Sequence, residues 1–126
     1  MTTALKLTKE EIAVYRTAAR RRSELEQQEV ARREERAWEL ARYAAAVLRS
    51  QFGATRVLAF GSLVHAGCFT AWSDIDIAAW GIRHEDTFRA IGAVMDISAE
   101  ILVNLVDVNT CSPSLLATIE REGKEL

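Results

Sequence analysis

The sequence predicts an α+β (α/β) domain: a small three-stranded sheet flanked by helices, carrying a long N-terminal helical arm. Three observations point there. Residues 9–50 contain neither Gly nor Pro. Three short segments, RVLAF at 56–60, SDIDIAA at 73–79 and ILVNLVDV at 101–108, have the length and β-branched content of strands. Helical patterns lie between and after them, so the order is helix, strand, strand, helix, strand, helix.

The first helix should begin near Lys9, because Thr8-Lys9-Glu10-Glu11 fits a capping box in which Thr8 and Glu11 satisfy each other's free amides. Its character changes along its length. Ile12, Val14, Tyr15, Ala18 and Ala19 are apolar, residues 20–36 are dominated by Arg, Glu and Gln, and AWELARYAAAVL at 37–48 is apolar again, with Trp38, Ala41, Ala45 and Leu48 on one stripe. The continuation of that stripe through Arg22, Glu26, Glu29 and Arg33 is too polar for a core. A solvated helix is expected there, supported by i,i+4 pairs such as Glu29 with Arg33 at ~0.2–0.5 kcal/mol each. Residues 1–36 therefore read as a charged arm and residues 37–126 as the globular domain. A polar helix of this length is unstable without a partner, so the arm is a surface helix or self-associating coil on one reading and a docking arm on the other.

The strand at 56–60 ends at Gly61-Ser62, and in the strand at 73–79 Ile75 and Ile77 alternate with Asp74 and Asp76. A helix from Ile82 to about Ile97 should turn Phe88, Ile91, Val94 and Met95 inward. Ser112-Pro113 opens the last helix, Ser as cap and Pro at the first position, and Gly123 ends it.

Composition narrows the function. The 126 residues suffice for one core; 49% are hydrophobic and 27% charged, as in ordinary globular proteins. No run approaches the ~18–20 apolar residues of a membrane span, nor does MTTALKLTKEEIAVYR look like a signal peptide, so a cytoplasmic protein is expected. Cys68 and Cys111 lack metal-binding spacing and read as reduced thiols. Residues 1–50 carry 11 Lys/Arg and 8 Asp/Glu, a balance of +3, whereas residues 51–126 carry 5 and 10, a balance of −5. An acidic body argues against an extended nucleic-acid surface, and Arg20-Arg21-Arg22 is answered at once by Glu24, Glu26 and Glu29.

The chemistry concentrates in FGSLVHAGCFTAWSDIDIAAW at 60–80. Residues i and i+2 of a strand share a face, so Asp74 and Asp76 place two carboxylates side by side, about 6–7 Å apart at their Cα atoms. Unpaired ions are costly to desolvate, and hard oxygen donors in this arrangement suit Mg²⁺ or Mn²⁺. Gly61 lets a backbone approach a phosphate, and the Ser62 hydroxyl with the amides of the following turn can donate to it. The combination describes a nucleoside triphosphate pocket.

FGS, the following Gly67, SDIDIA and the later NLVD resemble the minimal nucleotidyltransferases of the DNA polymerase beta superfamily, over roughly residues 37–123. The resemblance implies a small nucleotidyltransferase domain in which Gly61 and Ser62 hold the triphosphate of ATP and Asp74 and Asp76 bind Mg²⁺. Members commonly serve as antitoxins beside a HEPN-type ribonuclease toxin, and some silence it by moving AMP from ATP to a tyrosine of the toxin. Three features depart from the family. Eleven residues instead of ten separate Ser62 from Asp74; Leu63, Val64 and His65 stand where an arginine is common; and Asn104-Leu105-Val106-Asp107 replaces D-L-V-D, so the third catalytic position is an amide. Asn can ligate a metal but cannot accept a proton. Asp107 should face the other side of the sheet and end the strand or cap a turn, while Glu100 has the right parity but lies too early. The expectation is therefore slow transfer with two carboxylates, or binding of the partner without chemistry. His65 and His84 read first as surface residues, and Trp72 and Trp80 read first as packing residues, with adenine stacking the alternative for Trp72.

Overall fold

The structure, a computed structural model, describes residues 6–126. Helix α1 runs unbroken from Lys9 to Phe52, 44 residues, about 66 Å at a rise of about 1.5 Å per residue. The Thr8 hydroxyl accepts the Glu11 amide at 3.1 Å, the first half of the capping box. Gly53 closes the helix at φ 68°, a left-handed conformation in which its N–H reaches the Leu48 carbonyl.

The body that follows is α+β: β1 (Arg56–Phe60), β2 (Ile75–Trp80), α2 (Thr87–Met95), β3 (Val103–Asp107), α3 (Pro113–Glu122) and β4 (Lys124–Glu125). The sheet has four strands in the order β3-β2-β1-β4, one more than the sequence suggests. β4 is two charged residues with no alternation to betray it; it pairs antiparallel with Leu58 and Ala59 at the edge. β2 is antiparallel to β1 and parallel to β3, with α2 as the crossover.

Two layers of helix sandwich the sheet. On one face, Ala37, Leu40, Ala41, Ala44 and Leu48 of α1 and Ala90 and Val94 of α2 bury Val57, Ile75, Ile77, Val103 and Leu105. The alanines bring α1 close to the strands. On the other face, Ile119, Leu115 and Leu116 of α3 cover Leu58, Phe60, Ala78 and Val106.

Several expectations give way. The segment His84–Asp86 is a 3₁₀ turn, so α2 starts at Thr87 instead of Ile82. Of the residues expected inward, Val94 is buried and Ile91 packs against the core, while Phe88 and Met95 are exposed and Thr87 and Ala90 are buried in their place. Glu29 and Arg33 form no ion pair; Arg33 turns to backbone carbonyls in the body. Trp72 is 91% exposed instead of packed. Trp80 does pack, beneath the Arg56 guanidinium at 4.6 Å from its ring. Ile12, Val14 and Tyr15 of the arm are exposed, as are Arg20, Arg21 and Arg22. Among the described residues no helix is long and apolar enough to cross a membrane.

Candidate active site

Strand register assembles the site. Phe60, the last residue of β1, pairs with Asp76, and Asp76 pairs across the parallel ladder with Asn104. Gly61 follows Phe60, so three segments far apart in sequence meet at one end of the sheet. By strand alternation Asp76 and Asn104 lie on the α3 side, the face of Ala78 and Val106.

Gly61 is tied to Asp76 sterically. Its φ is +73°, and a Cβ placed there would sit 2.6 Å from Asp76 Oδ2. Only glycine satisfies both the backbone turn and the closeness of the carboxylate. The 3₁₀ turn Gly61–Val64 then carries Ser62, half-buried and next in sequence to Gly61, and His65 Nε2 lies 3.2 Å from Glu122 Oε1 at the end of α3.

Asp74 falls just before β2, not within it, and is exposed. Asp76 is half-buried, and the Asn104 side-chain amide donates to its Oδ1 at 3.4 Å. Burial raises the Asp76 carboxyl above its ordinary pKa; the Asn104 hydrogen bond opposes this, and the negative charge of Asp74 adds to it. Asp107 lies on the opposite face, as parity predicts. It is buried, accepts from the Thr87 hydroxyl at 2.8 Å and from the Asn109 amide at 3.0 Å, and so fastens α2 to the turn after β3.

The donor set fits a hard divalent cation. Two carboxylates and one amide oxygen are all oxygen donors, and among the described residues no Lys or Arg forms an ion pair with Asp74 or Asp76. No third acidic, His or Cys group joins them among those residues.

Sequence reasoning missed Arg33. Its guanidinium donates to the carbonyls of Thr70 (3.2 Å), Ser73 (2.9 Å) and Glu100 (3.4 Å). Those carbonyls belong to the loops leading into β2 and β3, which deliver Asp74, Asp76 and Asn104. Its partners lie 37 to 67 residues away in sequence, so no local pattern announces it.

The site thus sits on a mixed sheet with Gly-Ser at the end of β1, Asp-x-Asp at the start of β2 and a crossover helix to a parallel β3. Solved structures share this fold. The chain is 24% identical to a chain of a tyrosine-to-alanine mutant of the toxin–antitoxin complex MntA-HpeT, covering 68% of this chain and 69% of that one with a TM-score of 0.55. It is 20% identical to a chain of the tri-AMPylated Shewanella oneidensis HEPN toxin in complex with MNT antitoxin, covering 71% and 70% with a TM-score of 0.53. The fold is MNT-like. No protein-family model matches the chain, and no curated protein does either.

Proposed function

We propose that this chain is a metal-dependent nucleotidyltransferase acting as an antitoxin, moving AMP from ATP to a tyrosine of a HEPN-type partner protein. The observation that supports the reading is the closeness of Gly61 to Asp76, so that a turn able to receive phosphates would lie against a carboxylate able to hold the metal. The MNT-like fold supports it. Asp74 and Asp76 would hold Mg²⁺ or Mn²⁺, and Gly61 and Ser62 would receive the triphosphate. A bound Mg²⁺ supplies charge neutralisation for the phosphates. In the transfer the tyrosine oxygen bonds to the α-phosphorus, the bond to the bridging oxygen breaks and pyrophosphate leaves. The phenolic proton passes to solvent, since Asn104 offers no base.

Asn104 favours a second reading, in which the fold neutralises its partner by binding alone. Incubation with α-labelled ATP, Mg²⁺ and the HEPN-type partner separates the two. Labelling that is lost in Asp76→Ala supports transfer, and a rate gain in Asn104→Asp shows an assembled site lacking one ligand. Absence of labelling with any nucleotide, while Asp74→Ala still neutralises the partner, refutes the enzymatic reading and leaves the second.

A further inference from the structure

Arg33 gathers three carbonyls that belong to two separate loops. It sits half-buried on α1, and among the described residues it forms no ion pair. Each guanidinium nitrogen donates to a different carbonyl: Nε to Thr70 at 3.2 Å, Nη2 to Ser73 at 2.9 Å and Nη1 to Glu100 at 3.4 Å. The nitrogens of a guanidinium are fixed in one plane, so the carbonyls they hold are fixed relative to one another. The ring of Phe69, which is buried, lies 5.8 Å from the group.

Both loops have internal supports that Arg33 joins together. In the first, the Thr70 amide donates to Ser73 Oγ at 2.9 Å, the Ser73 amide to the Thr70 carbonyl at 3.2 Å and the Trp72 amide to Thr70 Oγ1 at 3.2 Å. In the second, Ser98 Oγ accepts the Glu100 amide at 3.0 Å and the Ile101 amide at 3.4 Å. The first loop ends at the peptide bond between Ser73 and Asp74, and its oxygen is the one that Arg33 holds at 2.9 Å. Immediately after Asp74 the ladder begins, with the Ile75 amide donating to the Leu102 carbonyl at 2.9 Å.

The three donor side chains of the site are therefore not supported alike. Asp76 and Asn104 are partners in the ladder and share a hydrogen bond at 3.4 Å, so strand pairing sets their spacing. Asp74 lies before β2 and is exposed. Its backbone is held on one side by the ladder and on the other by the peptide that Arg33 grips.

We infer that Arg33 is a positioning residue for the metal site, and that it acts on Asp74: by tying the Ser73–Asp74 peptide to the entry of β3, it keeps Asp74 beside Asp76 for a shared divalent cation. The inference rests on the function proposed above and names the residue that preorganises its metal ligands. The sign of the effect separates position from charge. A guanidinium repels a metal cation, so its removal would by itself tighten metal binding. Loss of a group that orients a ligand weakens binding instead, by ~10–100-fold.

The test is the Mn²⁺ affinity of the full chain without nucleotide or partner, read by electron paramagnetic resonance in a double-mutant cycle. Arg33→Ala should weaken Mn²⁺ binding ~10–100-fold. In an Asp74→Ala background the same substitution should weaken it less than about twofold, because the ligand it orients is gone. Urea unfolding should show no such dependence, Arg33→Ala lowering the midpoint equally in both backgrounds. Arg33→Lys keeps the charge but offers one nitrogen in place of three, so its metal affinity should resemble that of Arg33→Ala, and it carries the cycle if Arg33→Ala does not fold. An Arg33 variant that binds Mn²⁺ as tightly as the wild type, or more tightly, overturns the inference and leaves the proposed function standing. Equal weakening with and without the Asp74 carboxylate overturns it in favour of a general loosening of the two loops. A wild-type chain that does not bind Mn²⁺ refutes the metal dependence of the proposed function and this inference with it.

Discussion

Gly61→Ala perturbs the one contact on which the site reading depends, and its cost has two separable parts. The first is backbone. Gly61 has φ +73°, where an L-residue costs about 1–2 kcal/mol. The second is steric: the new Cβ meets Asp76 Oδ2 at 2.6 Å, although it lies 3.4 Å from Cγ and 3.5 Å from Cβ, both ordinary contacts. Only the carboxylate oxygen has to move, by somewhat under ~1 Å, at an off-rotamer cost of about 0.5–1.5 kcal/mol. The total expected from urea unfolding at neutral pH is about 2–3 kcal/mol. The parts are resolved by a double-mutant cycle with Asp76→Ala, which keeps the Cβ but removes the oxygens. In that background Gly61→Ala should lose the steric part, a coupling of about 1 kcal/mol. Gly67 supplies the control: its φ is +76° and a Cβ there meets nothing within 4 Å, so Gly67→Ala should cost only the backbone part and show no coupling to residue 76. Equal costs of Gly61→Ala with and without the Asp76 carboxylate would refute the reasoning, since the turn and the acid would then not touch.

Three further outcomes are expected. Because burial raises the Asp76 carboxyl above its ordinary pKa, the folded state holds that proton more tightly than the unfolded chain; stability should fall as pH rises from the ordinary carboxylate range through the raised value, so Asp76→Asn should melt higher than the wild type at pH 7 and lose that advantage in acid. Arg33→Ala removes three hydrogen bonds from a charged donor and should cost about 1–3 kcal/mol, with faster amide exchange at residues 70–73 and at Ile75; Arg33→Lys should restore little, since an ammonium lacks the planar fork. Asn104→Asp replaces a donor to Asp76 by a like charge, so it should lower the metal-free melting temperature at neutral pH while tightening Mn²⁺ binding, measured by electron paramagnetic resonance.

What the sequence reveals here tracks the range of the interactions. Helix α1 is legible because Thr8 and the absence of Gly and Pro are local signals; α3 likewise from Ser112-Pro113, whose hydroxyl cap accepts from the Leu115 amide at 3.2 Å. The opposed faces of Asn104 and Asp107 followed from alternation alone. The start of α2 did not: the 3₁₀ turn at His84–Asp86 leaves no pattern, and although Val94 was legible as an inward position, only the tertiary fold reveals that Ala90 faces the sheet while Phe88 and Met95 face out. Trp72 was misread because a hydrophobic residue beside a strand is ordinarily buried, and exposure in a hydrogen-bonded turn leaves no compositional trace. β4 is too short to have a pattern, and Arg33 acts on carbonyls, which carry no sequence signature.

The position of Arg33 changes how the arm should be understood. An exposed helical extension is usually separable from the domain it leaves, but α1 has no break between its exposed half and the alanine-rich half packed on the sheet. Arg33 lies near that junction and holds the loops before both β2 and β3. A force on residues 9–32 therefore reaches the guanidinium through a continuous helix, and from there the segments that set Asp74 and Asp76 against Asn104. In a site with two carboxylates, an amide and, among the described residues, no Lys or Arg paired to either acid, small displacements matter, because they change the repulsion within the pair. Arm and site are on this ground one mechanical unit, in which whatever grips the helix also acts on the spacing of the acids.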